Sequence, residues 1–156
     1  MARQGGSRAM ELLSRHLFDS SGEVRTAVVQ GMVTVFTKSP GVRHDSKLLD
    51  RALTAEARAY YETLAWLVDL APDEQTLLLA DALEHRQRQS IERVLLLLSL
   101  RYPAATMDAV ARSLQSTQAA TRANSVEVLD NLLTNHDKAV VLPLVDDAHP
   151  ERRLVK

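Results

Sequence analysis

Asp19-Ser20-Ser21-Gly22-Glu23-Val24-Arg25 is the stretch from which the fold of this 156-residue chain can be read. Aspartate, serine and glycine end one helix and cap the next. Before the break, Met10, Leu13 and Leu17 fall at helical spacing; after it, so do Val24, Val28, Met32, Val35 and Phe36. The stretch therefore predicts two helices, residues 7–18 and 22–37, folded back on one another across a short turn.

The same pattern returns later. A shift of 97 positions puts Met10 on Met107, Arg15 on Arg112, Leu17 on Leu114, Arg25 on Arg122 and Val29 on Val126, with Leu13 on Val110 and Met32 on Leu129. This predicts a second hairpin over 104–133, made of helices 104–115 and 118–133. A shift of 128 puts Asp19, Glu23 and Arg25 on Asp147, Glu151 and Arg153, so a third copy starts near Asp137 and runs out at Lys156. Its first segment carries Val140, Val141, Leu142 and Leu144 but also Pro143, which predicts a short or bent helix.

Between the copies, Ser39-Pro40-Gly41 marks a loop over 38–44, and a long hairpin spans 45–101. Its helices, 45–70 and 73–101, are separated only by the turn at Ala71-Pro72-Asp73, which makes them antiparallel neighbours about 40 Å long. Leu53, Tyr60, Leu64, Leu79, Leu83, Ile91, Val94 and Leu98 are its expected core. Leucine (25) and alanine (20) dominate the chain, and no glycine follows Gly41, so turns between strands are poorly supplied. The expected architecture is all-α, in one domain over 1–156.

Composition excludes several function classes. With 19 basic and 20 acidic residues the net charge is -1, so no global field draws the chain to nucleic acid or anionic lipid. Without cysteine there is no disulfide, thiolate metal site or thiol nucleophile. The longest apolar run, Val94 to Leu98, is far too short to cross a bilayer, and Met1 to Ser7 lacks the apolar core of a secretory signal. A cytoplasmic chain with no direct membrane insertion is expected.

Chemical motifs are sparse. His16, His44, His85, His136 and His149 lie in five separate elements. Asp81 and His85 share a helical face, but no Glu-x-x-His or His-Glu-x-x-His pair exists. Gly5-Gly6 reads as a linker, not a phosphate loop, and Ser14/His16 and Ser90/His85 lack an orienting acid. The expectation is no catalytic residue, no metal and no cofactor: not an enzyme.

The turn Asp19…Glu23-Val24-Arg25…Ala27 resembles the inter-helix turn of a HEAT repeat, and it recurs at Arg122 and Arg153. The region from about Asp73 to Asp147, with Arg101-Tyr102-Pro103, Arg122 through Leu133 and Leu142 through Asp147, is similar to a bacterial HEAT-repeat region of larger proteins. In those proteins it lies beside a nucleotide-transporter-like membrane domain or a cyclic-nucleotide-binding domain. Neither neighbour is present in these residues, so their functions are not carried over.

The resemblance implies a right-handed superhelix of HEAT-like antiparallel hairpins, acting as a non-catalytic scaffold for a protein partner within a larger regulatory protein. It implies that Arg25 and Arg122 set repeat stacking by binding an Asp or the carbonyls of an adjacent turn; an anion site at these helix starts is the alternative. The polar stripe Asn124, Glu127, Asp130 and Asn131, opposite Val126, Leu129 and Leu133, is a candidate recognition ridge, or else a polar network or solvated surface. Arg86 and Arg88, in the polar run Glu84 to Ser90, are candidate partner contacts.

The competing reading is a HEAT-like nucleic-acid-binding or DNA-glycosylase domain, for which Trp66, Tyr60 and Tyr61 share a helix with Glu56 and Glu62. Arg86, Arg88 and Arg93 beside Glu84 and Glu92, without interleaved aromatics, do not favour it. The third repeat would lack its second helix, so the natural chain is expected to be longer, or to self-associate through 137–156.

Overall fold

Side-chain caps fix where the chain turns. Asp45 accepts hydrogen bonds from the backbone N–H groups of Lys47 and Leu48 at 2.9 and 3.3 Å, Ser21 from Val24 at 3.4 Å, and Thr134 from Asp137 at 3.3 Å. The structure, a computed structural model, describes residues 2–39, 41–70 and 76–146. Among these it has seven helices and no strand: α1 (Ala2–Ser14), α2 (Gly22–Lys38), α3 (Ser46–Asp69), α4 (Leu77–Leu98), α5 (Ala104–Leu114), α6 (Ala119–Leu132) and α7 (Asn135–Val145). The fold class is all-α.

α4 is the hub. It packs on α2, α3, α5 and α7, and its interface with α3 is the most extensive among the described residues. Two contacts establish that the pair is antiparallel. Arg101, just past the end of α4, reaches Ser46 and Asp50 at the start of α3, while the Arg86 guanidinium lies 5.7 Å above the Trp66 ring near the other end.

The sequence of α4 follows its surroundings. Where four helices enclose it, Val94, Leu95, Leu97 and Leu98 are all buried, apolar on every side. Farther toward its start, the polar run from Glu84 stays helical, with Glu84, His85, Arg86 and Arg88 exposed and His85 and Arg88 at the edge of a groove shared with α5. The described ends of the hairpin, the last turn of α3 and the first turn of α4, leave Trp66, Val68, Leu77, Leu78 and Leu79 exposed. One core cluster runs through the body, from Met10 and Val29 through Leu53, Leu98 and Met107 to Leu129 and Val141.

Three expectations are corrected. Gly5-Gly6 is not a linker but part of α1. A Cβ at Gly6 would lie 2.9 Å from both Ser39 Oγ and Val42 Cγ2, so the helix lies against the α2–α3 loop where no side chain fits. That loop turns back at Gly41, whose φ of 102° suits glycine alone. Leu79 is 52% exposed because α3 ends at Asp69 and leaves the first turn of α4 uncovered, and Ile91, in the middle of α4, is only partly buried because it borders the groove between α4 and α5.

The apolar segment over 137–145 is packed against the rest of the described chain. α7 packs on α3, α4 and α6, burying Val141, Leu144 and Val145. It continues through Pro143, whose missing N–H leaves the carbonyl of exposed Ala139 to solvent. The turn at Pro72 and the third-repeat residues Asp147, Glu151 and Arg153 lie outside the described residues.

Leu64, 2% exposed between α3 and α4, tests the hairpin core. Leu64→Ala is expected to lower unfolding free energy by about 2–5 kcal/mol in urea titration.

Candidate functional site

Glu56 stands on the apolar stripe of α3, three residues after Leu53 and four before Tyr60. Arg93 has a similar position on α4, and Asp137 precedes Val141 and Leu144 on α7. A charge at a core-facing position must be paired, because an unpaired ion in an apolar interior costs several kcal/mol.

The three are paired in two networks. In the first, one Glu56 carboxylate lies between two guanidinium groups: Arg25 Nε donates to Oε1 at 2.6 Å, and Arg93 Nε lies 2.9 Å from Oε2. The second contact is off hydrogen-bond geometry and acts as an ion pair. Arg93 is 1% exposed. Its remaining N–H groups donate to Ser90 Oγ at 3.1 Å and Thr26 Oγ1 at 3.2 Å, and reach the Gly22 carbonyl at 3.5 Å. The network joins α2, α3 and α4.

In the second, Arg101 donates to Asp137 Oδ1 at 2.6 Å and Asp50 Oδ1 at 2.7 Å, while the Tyr102 hydroxyl donates to Asp137 Oδ2 at 2.5 Å. The same hydroxyl accepts the Thr134 N–H at 3.0 Å. This network ties α3 and the α4–α5 turn to α7. Burial raises the Asp137 pKa, but the hydrogen bonds from Tyr102 and Arg101 outweigh it and hold the carboxyl below its ordinary value.

Asp50, His136 and Asp137 are a group of possible metal ligands, with one ligand atom from each within 4.8 Å of the others. Arg101 already places a cation between the two carboxylates. A metal ion there would have to displace a doubly paired guanidinium.

The repeat arginines occupy matching positions. Arg25 is the fourth residue of α2 and Arg122 the fourth of α6. Each donates from Nη1 to the carbonyl six residues back, Arg25 to Asp19 at 2.7 Å and Arg122 to Ser116 at 2.8 Å. Arg25 adds the Ser20 carbonyl at 3.1 Å and the ion pair with Glu56.

The other candidate residues do not converge. Asn124, Glu127, Asp130 and Asn131 are exposed on α6, with Asp130 3.0 Å from Lys138 of α7. Arg86 stacks on Trp66, whereas Arg88 lies 3.6 Å from Glu84 and lines a groove between α4 and α5. That groove, about 510 Å³, has Ile91, Leu95 and Leu114 among its apolar lining. A second, about 440 Å³, runs along α3, with Asp50, Arg51, Thr54, Arg58 and Glu62 on its floor and Phe18 and His136 at its sides. The Arg51 guanidinium lies 5.2 Å above the Phe18 ring.

Two experiments test the buried networks. Glu56→Ala leaves Arg93 buried beside no carboxylate and is expected to cost about 3–5 kcal/mol of stability. Acidification should destabilise in two steps. His44 is held below its ordinary value of 6.5 by burial and by Arg101, against the pull of Asp45. Its folded state favours the neutral ring, so stability is lost as pH falls below about 6.5 toward the folded pKa. Asp137, lowered from 3.8, gives a second loss as pH falls below that value toward its folded pKa. Melting temperature against pH should lose the first step in His44→Gln and the second in Asp137→Asn.

No protein-family model matches the chain, and neither does any curated protein or solved structure, so the functional reading rests on these residues and their geometry.

Proposed function

We propose that this chain is a non-catalytic binding or scaffolding module. Its hairpins form a right-handed HEAT-like superhelix that offers helical surfaces to a protein partner, as a regulatory region of a larger cytoplasmic protein. The matched bonds of Arg25 and Arg122 to their own inter-helix turns support repeat equivalence. Support for binding comes from the groove along α3, whose floor is one helix and whose sides come from two other parts of the chain. Its lining mixes Arg51 and Arg58 with Asp50 and Glu62, a pattern that suits a protein surface better than a polyanion.

The ionic side chains inside the molecule are engaged in holding helices together. Arg86 and Arg88, the arginines considered for a nucleic-acid contact, lie over Trp66 and near Glu84.

A photo-crosslinking residue at exposed Ala55, in the groove, is the direct test in living cells. The expected result is a discrete protein adduct that Arg58→Glu removes without changing the melting temperature. A low-salt mobility-shift assay with duplex DNA is expected to give no retarded species. A shifted band, or adducts to nucleic acid at Ala55, contradicts the proposal.

A further inference from the structure

Lys47, Arg51 and Arg58 stand on one line along α3. At roughly 100° per residue they fall within about 40° of one another around the axis, and Arg51 and Arg58 are two turns, about 10 Å, apart. All three are exposed. Exposed Arg15 and Arg88 each have a carboxylate one turn away, at 2.8 and 3.6 Å. The Lys47, Arg51 and Arg58 side chains, by contrast, make no ion pair among the described residues.

Two carboxylates share their groove, and neither neutralises them. Asp50 is already paired with Arg101 at 2.7 Å. Glu62 lies one turn beyond Arg58, the weaker order for a helical pair of basic and acidic residues, and forms no ion pair with it. The Arg51 guanidinium is held 5.2 Å above the Phe18 ring, a stacking that fixes its plane and leaves its N–H groups without an acceptor among the described residues. Between the two arginines the floor is small, Thr54 and Ala55 with Ala59 beside them, so a second helix can come close to α3.

We infer that the groove along α3 takes an acidic amphipathic helix of the protein partner. Carboxylates seven residues apart on that helix span the same two turns and meet Arg51 and Arg58, while its apolar side chains lie on Ala55, Ala59 and the Phe18 ring. This assignment rests on the binding-module reading and adds the chemistry of the partner. Length and sign decide among occupants. The cationic line stops at Glu62, so it suits a few carboxylates, whereas a nucleic-acid backbone continued along α3 would run onto that acid. Two copies of this face repel one another.

The test is calorimetric titration of the intact chain with synthetic helical peptides of about 18 residues, about five turns each. Two peptides share one leucine stripe; beside it one has glutamate at positions seven apart and the other lysine. A third keeps the glutamates and has glutamine in place of leucine. The glutamate peptide is expected to bind at least about tenfold more tightly than the lysine peptide, with affinity falling as salt rises. The glutamine version is expected to bind about tenfold more weakly than its leucine parent, which separates docking from simple ion attraction.

Arg58→Glu turns an attraction into a repulsion. It is expected to weaken the glutamate peptide about tenfold and to tighten the lysine peptide. Arg112→Glu makes the same charge change at an exposed position of α5 and is expected to alter either affinity by less than about twofold.

Equal binding of the glutamate and lysine peptides, no measurable binding of the glutamate peptide, an unweakened glutamine version, or equal losses in Arg58→Glu and Arg112→Glu overturns the inference. Retardation of duplex DNA that Arg58→Glu abolishes assigns the line to nucleic acid and overturns the reading beneath it as well. Binding of phosphatidylserine and phosphatidylcholine vesicles that Arg58→Glu abolishes assigns it to a membrane, and self-association in sedimentation lost in the same variant assigns it to a second copy; either overturns the inference. A protein adduct at Ala55 in cells, with peptides that the chain does not distinguish, sinks this inference alone and leaves the binding-module reading standing.

Discussion

A single buried carboxylate between two guanidinium groups sets the arrangement of the central helices. Glu56 accepts from Arg25 of α2 at 2.6 Å and faces Arg93 of α4 at 2.9 Å. Two cations around one anion leave an excess positive charge, and the structure meets it with neutral acceptors: the Asp19 and Ser20 carbonyls, Thr26 and Ser90. Each acceptor lies on a different turn of the chain from the carboxylate. A slip of α4 by one residue would rotate Arg93 about 100° away from Glu56 and strand both charges in the core. Apolar packing tolerates such slips far better than an ion pair does, so the triad opposes alternative registers that the leucines alone would permit.

The second network does the same at the other end of the long hairpin. Arg101 joins the start of α3 to α7 through Asp50 and Asp137, and Tyr102 closes it through Asp137 and Thr134. Between these two ionic clamps α4 buries Val94, Leu95, Leu97 and Leu98 against its neighbours; beyond the Glu56 clamp α3 is its most extensive companion.

Much of the fold was legible in the sequence, and particular residues explain why. Ser21, Asp45 and Pro103 punctuate the chain at helix starts, and the 97-residue offset placed Arg25 and Arg122 at the same point of two helices. The ionic networks were not read, because their partners are remote: 31 residues separate Arg25 from Glu56, 36 separate Arg101 from Asp137, and 51 separate Asp50 from Arg101. A usable signal was present, since Glu56, Arg93 and Asp137 each interrupt an apolar stripe at a core-facing position. Leu79 read as core because its spacing was right, but α3 ends too early to cover it. Arg86 and Arg88 are two residues apart on a helix, about 200° around the axis, and so face different neighbours.

The claim on which this account depends is that Glu56 and Arg93 are energetically coupled across the α3–α4 interface. A double-mutant cycle measures this: urea unfolding of the parent chain, Glu56→Gln, Arg93→Met and the double variant. The account predicts a coupling energy above about 1 kcal/mol, with the double variant more stable than the sum of the single losses implies. Additive losses, with coupling near zero, would contradict it.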